Sequence, residues 1–216
     1  MDIEQARFNM VEQTIRPAVI LTPQTIETLG LVRRERFVAP ARRGLAFADV
    51  ALPLPGGDAM LTPEVTGRLL QAVAPRRGES VLLIGVGSGY LAALLAAHAE
   101  HVHGFEIDAQ NAEFARHNLA AAGVANVSVT LGDGLPGCAG EAPFDLIVAT
   151  GAVEALPAVW LEQLKPGGRL FAFVGRAPLM SARLVRRSPE GGVHSQGLFE
   201  TRVGALRAPT LAGFTL

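Results

Sequence analysis

Three glycines and one acid are the residues whose spacing could do chemistry. Gly85, Gly87 and Gly89 follow directly on Val81-Leu-Leu-Ile84, and Glu106 closes the next apolar segment. Four apolar residues running straight into spaced glycines read as a buried parallel strand ending in a tight turn, after which Leu91 to Ala97 continues as a helix. Glycines suit such a turn because the backbone must pass close to a ligand and take positive φ, which a Cβ would penalise. The turn also presents bare N–H groups at a helix start. Glu106 ends His101-Val-His-Gly-Phe-Glu106, a second strand, about 20 residues past the loop, where an acid can accept hydrogen bonds from a ribose diol. A dinucleotide fingerprint would need its third glycine where Tyr90 stands, which disfavours a nicotinamide cofactor. The spacing present, Gly-x-Gly-x-Gly, is the one associated with S-adenosylmethionine.

The elements that must position these residues alternate. The pattern predicts strand 80–84, helix 90–99, strand 101–106, helix 109–122 ending at Gly123, strands 126–131 and 144–149, helix 157–164 and strand 169–174. Alternation of this kind implies an α/β fold, a mostly parallel sheet with helices on both faces. Ligands then bind beyond the carboxyl ends of the strands, where strand order reverses. Gly85 to Gly89, Glu106, Asp133 and Thr150 all fall at predicted strand ends and are expected to converge. Asp133-Gly134 on its own is also a common turn dipeptide. Segment 181–203, interrupted by Ser188-Pro-Glu-Gly-Gly192, reads as an antiparallel pair.

Upstream, Phe8, Val11 and Ile15 share a helical face, and Thr22-Pro23 announces a second helix to Leu31. Residues 39–63, rich in proline and glycine, form a shaped loop region, with Leu45, Phe47, Leu52 and Leu54 expected to pack on a core; Glu64 to Val73 reads as a helix after Pro63. The expected organisation is one compact unit: an N-terminal helical and loop extension over 1–63 that shapes the substrate side, and a cofactor-binding domain over 64–216.

With 216 residues, 49% of them hydrophobic, the chain can bury one sizeable core. A net charge of −1 supplies no field toward nucleic acid or an anionic membrane, so neither is an expected partner. The arginine cluster Arg33, Arg34, Arg36, Arg42 and Arg43 reads as a solvated helical face. A single cysteine, Cys138, excludes an internal disulfide. Met1 to Met10 has no apolar leader core, and the run Tyr90 to Ala97 is far short of the roughly 20 residues of a membrane span. The expectation is a soluble, cytoplasmic protein. His98, His101 and His103 lie close in sequence, but a helix end and a strand separate them and no carboxylate or cysteine completes a metal set. Surface or helix-cap roles are expected of them, and no metal.

Several stretches together resemble the protein-L-isoaspartate O-methyltransferase family of class I S-adenosylmethionine-dependent methyltransferases, over most of the chain. They are Met10-Val-Glu-Gln-Thr-Ile-Arg16, Phe37-Val38, Gly44-Leu-Ala-Phe-Ala-Asp49 and Leu52-Pro-Leu54, then Ile84-Gly-Val-Gly-Ser-Gly-Tyr90, Gly132-Asp-Gly134, Pro143 to Thr150 and Leu164 to Leu170. The resemblance implies a Rossmann-like, seven-stranded sheet completed by the C-terminal hairpin. It implies S-adenosyl-L-methionine as cofactor, with Gly85, Gly87 and Gly89 around the methionyl part, Glu106 at the ribose hydroxyls and Asp133 with Gly134 at the adenine, and with Val86, Ser88, Ile107 and Thr150 also in the cofactor site. It implies methyl-esterification of L-isoaspartyl carboxylates in damaged proteins, with a protein or peptide as substrate.

Two positions depart from that family. Leu83 stands where it has an acid near the cofactor's ammonium end, and the substrate loop Ala59, Met60, Leu61, Thr62 has Leu61 in place of the serine that seats the substrate carboxylate. Thr62 offers a hydroxyl one residue later, pointing the other way in an extended segment. Two further readings follow: the same cofactor with a different, more apolar acceptor, or a cofactor-binding protein without turnover. A carboxylate acceptor is already ionised at pH 7, so the lack of an evident general base does not separate them.

Overall fold

The computed structural model describes residues 2–208. Helix α1 (Ile3–Asn9) starts at Asp2, whose carboxylate accepts from the Glu4 and Gln5 N–H groups. It runs into a π-helical turn, Met10–Ile15, in which the Arg16 N–H donates to the Val11 carbonyl at 2.9 Å, five residues back. That wider turn corrects one sequence expectation. Met10, Val11 and Ile15 are buried, but Phe8 is rotated out to 60% exposure, because the face it would share at α-helical spacing is broken by the extra residue per turn. Helix α2 (Pro23–Leu31) begins as expected, with Thr22 Oγ1 accepting from the Thr25 N–H and proline at the first position.

Two 3₁₀ turns follow, Arg34–Phe37 and Pro40–Leu45, and then a two-residue antiparallel pair, β1 (Leu52–Pro53) with β2 (Ala59–Met60). Leu52 and Leu54 are buried and Phe47 is half-buried, whereas Leu45 is exposed at the end of a turn with no buried residue. The expected arginine face is corrected as well. Arg33, Arg36, Arg42 and Arg43 are exposed, but Arg34 is 1% exposed, on the inner side of its turn beside Phe37.

From α3 (Pro63–Val73) onward the predicted alternation appears as β3 (Ser80–Ile84), α4 (Tyr90–Ala96), β4 (His101–Glu106), α5 (Ala109–Ala121), β5 (Val127–Leu131), β6 (Phe144–Val153), α6 (Ala158–Glu162) and β7 (Leu164–Arg176). The hairpin β8 (Leu179–Arg187) and β9 (Val193–Thr201) completes one seven-stranded sheet of order β5-β4-β3-β6-β7-β8-β9. Pairing is parallel from β5 through β7 and antiparallel in the last two pairs. Helix α4 stops three residues earlier than predicted, since His98 and Ala99 N–H groups already close a turn on Leu95. Strands β6 and β7 run longer than predicted, because their pairing begins at Phe144 and Leu164 and continues to Val153 and Val174.

Strand β3 is buried on both faces, and its side chains alternate as the pleat requires. Val81 and Leu83 join a core built from α3, α4 and the N-terminal residues Met10, Ile15, Leu29 and Phe37, while Leu82 and Ile84 join a second core around Trp160. From β3 the chain moves outward through β4 to β5, then returns to β3's other side as β6. This reversal opens a crevice above the carboxyl ends of β3, β4 and β6.

In urea denaturation Phe8→Ser should leave unfolding free energy within about 0.5 kcal/mol, whereas Ile15→Ala, at a fully buried site, should lose about 2–5 kcal/mol. Comparable losses at both positions would mean that α1 keeps α-helical register through Ile15.

Candidate functional site

A cavity of about 920 Å³ occupies the crevice. Its floor is made by Gly85 and Gly87 after β3, Glu106 and Ile107 at the end of β4, Asp133 and Gly134 after β5, and Thr150 of β6; the opposite wall is Ala59, Met60, Leu61 and Thr62. These sequence-predicted residues therefore converge from five segments onto one space, of the size that nucleoside-like ligands occupy.

The glycine turn is held open from both sides. Gly85 has φ +84°, and a Cβ there would lie 2.3 Å from Thr150 Oγ1, whose hydroxyl donates to the Gly85 carbonyl at 2.7 Å. Thr150 can reach it because β6 bulges between Val148 and Ala152, just past its last pairing with β3, which re-aims the side chains toward the crevice. Thr150 thus lies inside β6 rather than at its end. Across the turn, Glu106 Oε2 accepts from the Gly87 N–H at 2.8 Å and Oε1 from the Asp108 N–H at 3.0 Å. Each oxygen keeps lone-pair capacity toward the cavity. Asp133 Oδ1 accepts from the Leu135 N–H at 2.9 Å, the side chain–backbone turn its dipeptide suggested.

Three predicted residues stand back from this cavity. Gly89, φ +86°, caps α4, and a Cβ there would meet Leu119 and the Ala115 carbonyl, so its place is set by helix packing. Val86 and Ser88 line only a small neighbouring pocket. Ser88 Oγ accepts from the Tyr90 N–H, and its carbonyl accepts from Asn118 Nδ2 at 3.0 Å. Leu83 is fully buried in the core on the N-terminal side of the sheet and borders neither space.

On the opposite wall, Thr62 caps α3: its Oγ1 accepts from the Val65 N–H at 3.3 Å, which commits the hydroxyl oxygen to the helix. Leu61 faces the cavity, and its carbonyl accepts from Arg34 Nη2 at 2.8 Å. The β1–β2 connection is tied to α5 by the Gly56 N–H, which donates to Asn111 Oδ1 at 2.9 Å.

Sequence reasoning missed the rim. Residues 203–207 return across the mouth: the Ala152 N–H donates to Gly204 and the Leu206 N–H to Ala152, both at 2.8 Å, and the Arg207 guanidinium pairs with Asp58 and lies 3.4 Å from Asp108. No local pattern joins Arg207 to Asp58, 149 residues away. Six carboxylates and three arginines line the cavity, an excess of negative charge suited to a cationic ligand. Reasoning also missed Arg34, which the neighbouring charges Arg33, Glu35 and Arg36 make look like part of a solvated face. The histidines are used in packing and hydrogen bonding: His98 Nε2 lies 2.7 Å from Thr28 Oγ1, and His101 stacks at 4.6 Å on His103. Among the described residues no helix is long and apolar enough to cross a membrane.

Tyr90 opens α4 fully buried, with its ring 5.1 Å from the Arg34 guanidinium. Burial pushes its phenol up to about 12, against a smaller opposing pull from Arg34. Burial likewise lowers the Arg34 pKa, partly offset by Tyr90 and Asp49.

This sheet order, with a glycine turn after β3 and an acid closing β4, defines a class I S-adenosylmethionine-dependent methyltransferase. The chain belongs to the protein-L-isoaspartate(D-aspartate) O-methyltransferase family, whose sequence profile matches residues 5–203. It is 37% identical over 196 residues to the protein-L-isoaspartate O-methyltransferase of Aeropyrum pernix, covering 89% of this chain and 75% of that one. To protein-L-isoaspartate O-methyltransferase 2 of an Anaeromyxobacter species it is 41% identical over 167 residues, covering 77% and 69%. The fold matches a protein-L-isoaspartate O-methyltransferase structure with TM-score 0.79 at 22% identity, covering 95% of this chain and 66% of that chain's length. A Plasmodium falciparum structure in complex with S-adenosyl-L-homocysteine superposes equally well, TM-score 0.79 at 16% identity, covering 96% and 99%.

Tyr90 is the only tyrosine, so phenolate absorbance reports it alone. Below the ordinary phenol value of about 10 both folded and unfolded forms hold the proton. Between that value and about 12 only the unfolded form has lost it, so stability should fall as pH rises through this window. A spectrophotometric midpoint near 10 in the folded protein would show that the ring is hydrated.

Proposed function

We infer that this protein methylates the carboxylate of L-isoaspartyl residues in damaged proteins or peptides, using S-adenosyl-L-methionine. One observation carries the reading: a single cavity is walled on one side by the glycine turn and Glu106, and on the other by the substrate loop Ala59–Thr62. Cofactor and acceptor can therefore meet without passing through solvent.

The residues present fit the cofactor. Glu106 has acceptor capacity left for ribose hydroxyls after binding two backbone N–H groups. Ile107 packs beside it, and Asp133 with Gly134 supplies the adenine end, where Asp133 keeps a free carboxylate oxygen. Gly85 and Gly87 present bare backbone along the thioether chain, with Val86 and Ser88 behind them and Thr150 bracing the turn. Gly89 contributes by starting α4.

Bound there, S-adenosylmethionine supplies a methyl group made electrophilic by its sulfonium. The chain's work is alignment and exclusion of water. An isoaspartyl carboxylate, ionised at neutral pH with an ordinary pKa of about 4, would need no base to accept that methyl group, the sulfur leaving with the bonding electron pair as a neutral thioether. The negative cavity favours the cation before transfer, and the substrate loop, fixed through the Leu61 carbonyl by Arg34, presents the acceptor in line. Leu61, at the seat of the carboxylate, has no O–H to donate to it, and the Thr62 hydroxyl is turned toward α3, where its oxygen caps the helix. The acceptor carboxylate is held less tightly in consequence.

Labelled cofactor and an isoaspartyl peptide should yield a base-labile methyl ester; the absence of one, with cofactor binding intact, would move the acceptor elsewhere. Leu61→Ser should lower the KM for that peptide by about fivefold, the value of one added hydrogen bond of roughly 1 kcal/mol. Glu106→Ala should weaken S-adenosylhomocysteine binding about tenfold or more, some 1.4 kcal/mol, read by calorimetry; unchanged affinity would remove Glu106 from the site.

A further inference from the structure

Arg34 is the one buried cation beside the glycine turn, and it is incompletely used. Its Nε donates to the Ala46 carbonyl at 2.9 Å and its Nη2 to the Leu61 carbonyl at 2.8 Å, but Nη1 is buried with no partner among the described residues. Tyr90 Oη is likewise buried with no partner. Among the described residues no carboxylate forms an ion pair with the guanidinium; the face of the Tyr90 ring lies against it, and Asp49 acts on it only from beyond ion-pair distance. Two adjoining buried donors without acceptors are a costly arrangement for an interior to keep empty-handed.

Both residues line the small pocket beside the turn, about 50 Å³, whose other walls include Gly87, Ser88 and Thr66. The pocket shares Met60, Leu61, Gly85, Gly87 and Thr150 with the main cavity, so it is a side chamber of that site. Its volume exceeds the roughly 30 Å³ share of one liquid water, and it suits a group the size of a carboxylate. A planar anion with two acceptor oxygens can take the Arg34 Nη1 proton on one oxygen and the Tyr90 hydroxyl proton on the other.

We propose that Arg34 and Tyr90 form the anion clamp for the α-carboxylate of the cofactor's amino-acid tail. This rests on the cofactor reading above. With the ribose at Glu106 and the adenine toward Asp133, the remaining arm of the nucleoside runs along Gly85–Gly87, and this chamber is where it ends. The acceptor's carboxylate is a poorer occupant, because it must approach the methyl group from the open cavity on the Leu61 side. The clamp also gives the tail a charged partner in a chain that has Leu83 in its core.

The test is calorimetry with two thioethers, zwitterionic S-adenosylhomocysteine and its decarboxylated analogue 5′-deoxy-5′-(3-aminopropylthio)adenosine, which keeps only the ammonium charge. Wild type should bind the first at least tenfold more tightly. Tyr90→Phe, which removes one buried oxygen, should weaken S-adenosylhomocysteine about fivefold and leave the analogue within twofold; Arg34→Met should weaken the first at least thirtyfold with the same indifference to the second. Equal losses for both ligands would make Arg34 and Tyr90 structural and overturn the clamp, as would equal wild-type affinities. Should Arg34→Met fail to fold, the Tyr90→Phe pair decides alone. Wild type binding neither ligand would instead sink the cofactor reading itself.

Discussion

The Glu106 carboxylate is the post to which the rest of the site is fastened. It is almost fully buried, and it holds the glycine turn through Gly87 and the start of α5 through Asp108. A buried carboxylate is tolerated only when its oxygens are satisfied, and charge-assisted bonds from backbone N–H groups satisfy it at fixed geometry. Asp108 in turn caps α5 with one oxygen and approaches Arg207 with the other. One carboxyl group at a strand end therefore sets the separation of the loops around it. The same geometry explains why the acid belongs at the end of β4: one residue earlier in a strand, the side chain would face the other layer.

The parts of this arrangement that were legible in the sequence are those written over short distances. Val81 to Gly89 announces strand, turn and helix within ten residues, Glu106 announces the next strand end, and Ser188 to Gly192 announces the hairpin turn. Thr22-Pro23 is a helix start by rule, and Pro63 announces the helix that follows it, though in the sequence Thr62 reads as part of the extended loop rather than as its cap. What stayed hidden is joined across the chain or depends on details below sequence resolution. Arg34 meets the site from 50 residues upstream of the glycine turn, and a run of neighbouring arginines disguised its burial. The π turn at Met10–Ile15 changes which apolar residue faces inward, and no composition rule marks it. Gly89 looked like a ligand glycine because spacing cannot separate a residue that touches a nucleoside from one that lets a helix begin.

The N-terminal layer also carries charge into its core. Arg7 and Glu35 pair at 2.5 Å, both largely buried, next to the turn that bears Arg34. Buried pairs add little net stability, but losing one member strands the other. Their effect is to hold α1 and the Arg34–Phe37 turn in one register, and through Arg34 that register reaches Ala46 and Leu61. The first forty residues are thus mechanically continuous with the Ala59–Thr62 wall of the cavity. They share one apolar cluster with α3 and α4, so there is no seam at which they could part from the sheet without exposing it.

Residues 203–207 give the mouth of the cavity a different physical character from its floor. The floor is closed by backbone hydrogen bonds and a buried carboxylate, which dissolved ions barely reach. The mouth is drawn together at Arg207 and Asp58, each about two-fifths exposed, where mobile ions screen a charge within about 8 Å at physiological strength. Added electrolyte therefore weakens the tie at the mouth while leaving the floor intact. Traffic in and out becomes sensitive to the ionic surroundings, whereas recognition of what lies inside does not.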